Sequence, residues 1–322
     1  MVLGEFNHGK TTFLIGVAGG FLSCDHMVLW IDAERTTPFD WLENMLGSEL
    51  SHHPGFLARR PETYEKTIAE VRQFCLGIAQ AKEANKLPEE TCGLIVIDSI
   101  RKLVPASIMK QIEEENSKGK DADPSRRSAQ IKAAMNANWL DELVPILERG
   151  SIGMAVVARE TEDPDASPFS KKFGTNYKVG GGKALYYDAS LAIRVERAAW
   201  VTKAAAAEGT APVVYGERHR ATIHKTKVAG KEDKSVKTYF HTSNGVFIPA
   251  GFDRVRDILD LGQRFGVITK SGSWLCYGKD KIANSEHNSV KVLTEDKQLF
   301  GIIEAAVREQ FAHVKPLEED GA

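Results

Sequence analysis

The sequence predicts an α/β protein with a mostly parallel central sheet covered by helices, followed by a small α+β domain. Two observations carry that reading. Up to about residue 200, short continuous apolar runs alternate with stretches whose apolar residues recur at helical spacing. Such alternation belongs to strand–helix–strand units whose strands are buried on both faces. After residue 185 the pattern becomes one of alternating polar and apolar residues, and a Pro/Gly break at "IPAG" (248–251) precedes a new helical stretch.

Taken in order, "MVLWID" (27–32) is the first buried strand. The next stretch carries Tyr64, Ile68, Val71, Cys75 and Ile78 on one helical face, and Pro88 closes it. "GLIVID" (93–98) and "GMAVVA" (153–158) are further buried strands. Between them, Ile131, Met135, Trp139, Leu143 and Leu147 mark a second amphipathic helix. "ASLAIRVER", "ATIHKTKV" and "KTYFHTSNGVF" read as antiparallel strands, with "SNG" as a turn. A helix begins within "DRVRDILDLGQRFGVI", which sets the domains at 1–250 and 251–315, with a short acidic tail at 316–322.

Composition narrows the class. A chain of 322 residues can bury a substantial core. A net charge of −2 leaves any nucleic-acid binding to local patches. Cys24, Cys75, Cys92 and Cys276 are scattered with no C-x-x-C pair, so they read as reduced thiols of a cytoplasmic protein. No apolar run approaches the roughly 18–20 residues of a membrane span, and no signal peptide is recognised, so no membrane association is expected.

The chemistry begins almost at residue 1. Gly4-Glu5-Phe6-Asn7-His8-Gly9-Lys10-Thr11, followed by Thr12, fits the phosphate-loop pattern G-x-x-x-x-G-K-[ST]. Glycines let such a loop wrap phosphates with backbone amides at a helix N-terminus, the lysine reaches the β- and γ-phosphates, and the threonine hydroxyl ligates Mg²⁺. The strand before it has three residues, fewer than a central strand normally shows. "LIVIDS" ends in Asp98, suited to hold magnesium through water, and "LWIDAER" ends a strand with Asp32 and Glu34. Glu34 is the candidate base for water attacking the γ-phosphate. On the residues alone, Asp98 also reads as a plain strand end and Glu34 as a surface glutamate. Together the three elements favour nucleotide hydrolysis.

With these residues in place, the chain resembles the bacterial and phage RecA recombinases from about residue 4 to 310. "GEFNHGKTT", "IDAE", "LIVIDSI", "GGGKALYYDASLAIRVER", "HKTKV" and "ILDLGQRFGVITKSGSWLCY" occur in the family's order. The resemblance implies a RecA-like P-loop core binding ATP and Mg²⁺, with Thr11 and Asp98 at the metal, Ser99 beside it and Glu34 catalytic. Trp41 takes the place of an aromatic that stacks on adenine, although it reads equally as a core residue. Lys225 and Lys227 match paired lysines that reach a neighbour's γ-phosphate, with Lys10 the third catalytic cation; without the family, the pair reads as a solvated face. Arg159 stands where the family carries a γ-phosphate-sensing glutamine, and is suited either to the phosphate or to an acid such as Glu160.

The resemblance further implies single- and double-stranded DNA as partners, a homo-oligomeric helical filament, and DNA-dependent ATP hydrolysis driving homologous pairing in recombination and repair. Two loops would hold DNA. The first is expected at about 113–130, near Arg126 and Arg127. The second spans 161–182, where Lys171, Lys172 and Lys178 interleave with aromatics including Phe173, and Gly180, Gly181 and Gly182 bring amides near phosphate. The family's N-terminal helix and strand, which dock on the next subunit, are expected to be lacking. Two other readings stand beside this one: a ring helicase, disfavoured by the Lys-x-Lys strand, and a DNA-binding module that holds ATP without turnover.

Overall fold

A computed structural model of the chain describes residues 1–117, 125–162, 177–179, 183–203, 213–227, 237–243 and 251–313. In chain order the elements are β1 (Val2–Gly4), α1 (Lys10–Leu22), β2 (Met27–Asp32), α2 (Phe39–Leu46), α3 (Ser48–Ser51), β3 (Phe56–Arg59), α4 (Tyr64–Glu83), β4 (Gly93–Asp98), α5 (Ala106–Ser117), α6 (Ser125–Gly150), β5 (Ile152–Glu162), β6 (Tyr177–Val179), α7 (Lys183–Asp188), β7 (Leu191–Lys203), β8 (Val213–Thr226) and β9 (Lys237–Ser243).

Because successive side chains leave a strand on opposite faces, β2 and β4 feed two cores at once. Leu29, Ile31, Ile95 and Ile97 pack with Tyr64, Val71 and Ile78 of α4 and with Trp139 and Leu143 of α6. Val28, Trp30, Leu94 and Val96 pack with Phe13, Leu14 and Ala18 of α1 and Leu42 of α2. That is why the two runs read as unbroken hydrophobic stretches. Truncating fully buried Trp30 to Ala costs about 3–5 kcal/mol by the usual scale for large core residues.

The main strands of the sheet are ordered β9-β8-β7-β1-β5-β4-β2-β3. β1 is parallel to both β5 and β7, and β5, β4, β2 and β3 continue in parallel. β8 and β9 are antiparallel additions beyond β7. β1 is paired on both edges: Val2, Leu3 and Gly4 face Val157, Ala158 and Arg159 on one side, and Val2 and Leu3 face Ile193 and Arg194 on the other. All three residues are buried.

Two features differ from the sequence reading. β3 is absent from the sequence reading; it is a four-residue edge strand with two exposed residues and an apolar run of only Phe56, Leu57 and Ala58. The segment expected as a loop at 113–130 is largely helical, because α5 continues to Ser117 and α6 starts at Ser125. Glu, Lys, Arg, Gln and Ala favour helix without announcing it through apolar periodicity.

A second compact unit runs from Phe252. It comprises α8 (Arg254–Arg264), the antiparallel strands β10 (Ile268–Ser271), β11 (Trp274–Tyr277) and β12 (Asp280–Ala283), then α9 (Glu286–Glu295) and α10 (Lys297–His313). Asp253 caps α8 by accepting from the Arg256 amide. Ile258, Leu259, Ile268, Leu275, Ile282, Leu293, Ile303 and Val307 form its core. The acidic tail at 316–322 lies outside the described residues.

Candidate active site

The loop between β1 and α1 is shaped by backbone demands. Gly4 sits at φ 150°, and a Cβ there would lie 2.4 Å from the Val195 carbonyl oxygen. Asn7 and Gly9 adopt left-handed conformations that turn the chain into α1. Gly9, at the N-cap, has no side chain with which to cap the helix. The first-turn amides and the positive end of the helix dipole are thus directed at whatever sits above the loop.

A cleft of about 460 Å³ opens there. Phe6, Asn7, His8, Gly9, Lys10, Thr11 and Thr12 form its floor, and Glu34, Thr36, Trp41, Asp98, Ser99, Val157, Arg159 and Glu217 its walls. Gly4 and Glu5 line a separate small cavity with His8, Glu160 and Arg194. Lys10 Nζ donates to the Glu5 carbonyl at 2.5 Å. Thr11 Oγ1 donates to Asp98 Oδ2 at 2.5 Å, and Ser99 Oγ donates to Glu34 Oε1 at 2.6 Å. The Asp98 carbonyl accepts from the Ala33 and Glu34 amides at 2.7 and 3.1 Å, which ties the ends of β2 and β4 together.

Charge is concentrated here. Burial pushes the Asp98 carboxyl up to about 6; Glu34 and Asp32 push the same way, while the Thr11 hydrogen bond and Lys10 oppose. Burial, followed by the Arg159 cation, holds Lys10 below the ordinary lysine range, against Asp98, Glu34 and Glu160. Arg159 lies with its guanidinium carbon 5.1 Å from the Phe6 ring centroid. Its neighbour Glu160 is taken instead by Arg194, at 3.1 and 2.8 Å. Trp41 is half-buried, packing on the α1-side core while lining the cleft.

The second unit matches the family model for the RecA C-terminal domain over residues 256–312. Along nearly the whole chain, identity to Protein RecA of Malacoplasma penetrans is 24% over 307 residues, covering 95% of this chain and 79% of that protein. Identity to Protein RecA of Synechocystis sp. is 24% over 327 residues, covering 100% of this chain and 79% of that protein. Over nearly its whole length the chain is thus similar to proteins named Protein RecA. Among solved structures, that of the RadB recombinase aligns with a TM-score of 0.43 and 17% identity, covering 74% of this chain and 84% of that one.

Other sequence-predicted residues lie apart from the cleft. Lys225 donates to the Tyr186 and Tyr187 carbonyls at 2.5 and 2.9 Å, and Lys227 to the Asp188 carbonyl at 3.4 Å. Both therefore meet the C-terminal carbonyls of α7, where cations are favoured. Arg126 and Arg127 lie in the first turn of α6, and Lys178 lies on β6, which pairs antiparallel with the end of β5. Lys171, Lys172, Phe173, Gly180, Gly181 and Gly182 lie outside the described residues.

Three contributors escaped the motif reading. Glu217 reaches the cleft from β8, held by Arg197 at 3.0 Å and His219 at 3.2 Å. Thr36 lines the cleft from the turn after β2. That turn is organised by Asp32, whose buried carboxylate accepts from the Thr36 and Thr37 amides and from Arg60 Nε at 2.9 Å. Arg60 follows the unanticipated β3, and Glu217 belongs to no motif, so only tertiary structure brings them in.

Proposed function

We propose that the chain is an ATP-dependent recombinase that binds single-stranded DNA, tests double-stranded DNA for homology and promotes strand exchange. In this reading it works in the cytoplasm as a helical filament of identical subunits, with ATP controlling its grip on DNA. The observation that carries the reading is the convergence of Lys10, the Thr11–Asp98 pair and the Ser99–Glu34 pair on one cleft above a helix N-terminus. Relatives named Protein RecA supply the recombination role.

The donor set fits magnesium rather than a tighter-binding metal. Thr11 Oγ1 and Asp98 Oδ2 are hard oxygen donors, and among the described residues no group of three or more His, Cys, Asp or Glu could form an all-protein cage. Magnesium held by Thr11 and Asp98 would draw charge from the β- and γ-phosphate oxygens. The loop amides and Lys10 hold the same phosphates in position. Glu34, oriented by Ser99, accepts a proton from water as the water oxygen bonds to the γ-phosphorus. The bridging P–O bond breaks and its electron pair leaves with ADP. Lys171, Lys172, Lys178 and Phe173 suit the phosphates and bases of a single strand.

The test is ATP hydrolysis by the chain and by Glu34→Gln, with and without single-stranded DNA, at low and moderate salt. DNA-stimulated turnover that fades with salt and disappears in the variant supports the reading. Binding of ATP without turnover in either condition would leave a DNA-holding module and overturn the enzymatic part.

A further inference from the structure

We propose that Arg159 acts in cis as the cation on the terminal phosphate, and that the Glu160–Arg194 pair positions it. This rests on the nucleotide reading of the cleft, which it deepens by assigning a charge-neutralising group within the same protomer.

Strand geometry supplies the first argument. Arg159 stands opposite Gly4 in the β1–β5 ladder, beside the first residue of the phosphate loop. Residues 159 and 160 of β5 point to opposite faces, so fixing one aims the other. Glu160 is fixed: its carboxylate, 4% exposed, accepts two hydrogen bonds from Arg194 of β7, at 3.1 and 2.8 Å. A bidentate pair of this kind has little rotational freedom. Arg159 is thereby turned to the cleft, where among the described residues no carboxylate bonds its guanidinium, and it lies over Phe6.

Electrostatics supplies the second. Lys10 and Arg159 are two cations lining one cleft. That arrangement is relieved by a polyanion such as a triphosphate. Lys225 and Lys227, matched by resemblance to lysines that serve a neighbour's nucleotide, are engaged here with α7 carbonyls. As the water oxygen bonds to the γ-phosphorus and the electron pair of the bridging bond leaves on ADP, the water proton passes to Glu34. Arg159 exchanges no proton; it stabilises the charge on the phosphoryl oxygens. The next three residues of its strand, Glu160 to Glu162, pair with β6, so contact with the phosphate is made next to that pairing.

The experiment uses the full chain and its Arg159→Gln, Arg159→Lys and Glu160→Gln variants, each checked by circular dichroism. Affinities for fluorescent ATP and ADP are measured by titration, and ATP turnover without DNA is followed over a wide range of protein concentration. The expected result is an ATP-over-ADP preference of about tenfold that collapses in Arg159→Gln. kcat falls by about 10³ with little change in KM, and Arg159→Lys recovers part of it. Glu160→Gln lowers kcat about tenfold and leaves ADP affinity unchanged. An ATP-to-ADP ratio unaltered in Arg159→Gln overturns the proposal, as does turnover per protomer that climbs with protein concentration. A chain that binds neither nucleotide overturns the cleft reading and this proposal together. One that binds both but hydrolyses neither overturns only hydrolysis, and the affinity ratio still decides Arg159.

Discussion

Replacing Asp98 by Asn is expected to stabilise the ligand-free fold while removing a proposed magnesium ligand. The carboxyl is 3% exposed and burial raises its pKa from 3.8 to about 6. Between these values the folded chain binds more protons than the unfolded one, so this group's contribution to stability is complete below the unfolded pKa and is lost as pH rises through the folded one. A rise of that size is worth about 3 kcal/mol. Asparagine cannot ionise, and its side-chain oxygen still accepts from Thr11. The gain in Asp98→Asn should therefore be about 3 kcal/mol near pH 8 and roughly half that near pH 5. Urea unfolding of both proteins without nucleotide or divalent cations, at the two pH values, measures it. A gain equal at both, or larger near pH 5, would refute the argument. In the same variant, Mg-ATP should no longer raise the unfolding midpoint.

Four further outcomes follow from the geometry. Glu34→Gln should retain nucleotide binding and lose about 10²–10⁴ in turnover, measured by phosphate release. Gly4→Ala should destabilise by more than about 2 kcal/mol in urea, since its Cβ would lie 2.4 Å from the Val195 carbonyl oxygen at a positive φ. Asp32→Ala should cost about 2 kcal/mol and weaken nucleotide binding by loosening the turn that carries Thr36; a variant as stable as the parent would contradict this. His219, fully buried, has its pKa pushed down to about 4 by burial, with Arg197 and His8 adding to the shift and Glu217 opposing it. It stays neutral while the unfolded chain protonates, so its contribution is present above about pH 6.5 and lost as pH falls toward 4. An NMR midpoint near 6.5 for that ring would exclude this.

What was legible in the sequence depended on whether chemistry or burial repeated itself locally. The β2, β4 and β5 strands were readable because both their faces are buried, and the phosphate loop because eight consecutive residues share one task. Asp32 was seen as a strand-end acid, yet its work with Thr36, Thr37 and Arg60 joins segments that a linear reading cannot bring together. The start of α6 was hidden because a polar helix turn and a polar loop have similar compositions. Glu217 enters from an antiparallel strand outside the βαβ series, where motif logic does not look.

The ladder position of Arg159 sets a rule about length rather than composition. A strand counts in twos, so one residue added between Gly153 and Ala158 would exchange the faces of Arg159 and Glu160. The loop would then meet a carboxylate where it now meets a guanidinium, and Arg194 would face a cation. Point substitutions in this stretch are graded in effect, whereas a single insertion or deletion reverses the sign of the cleft wall. Only a second indel on the same side, also before Arg159, returns the wall to its present polarity.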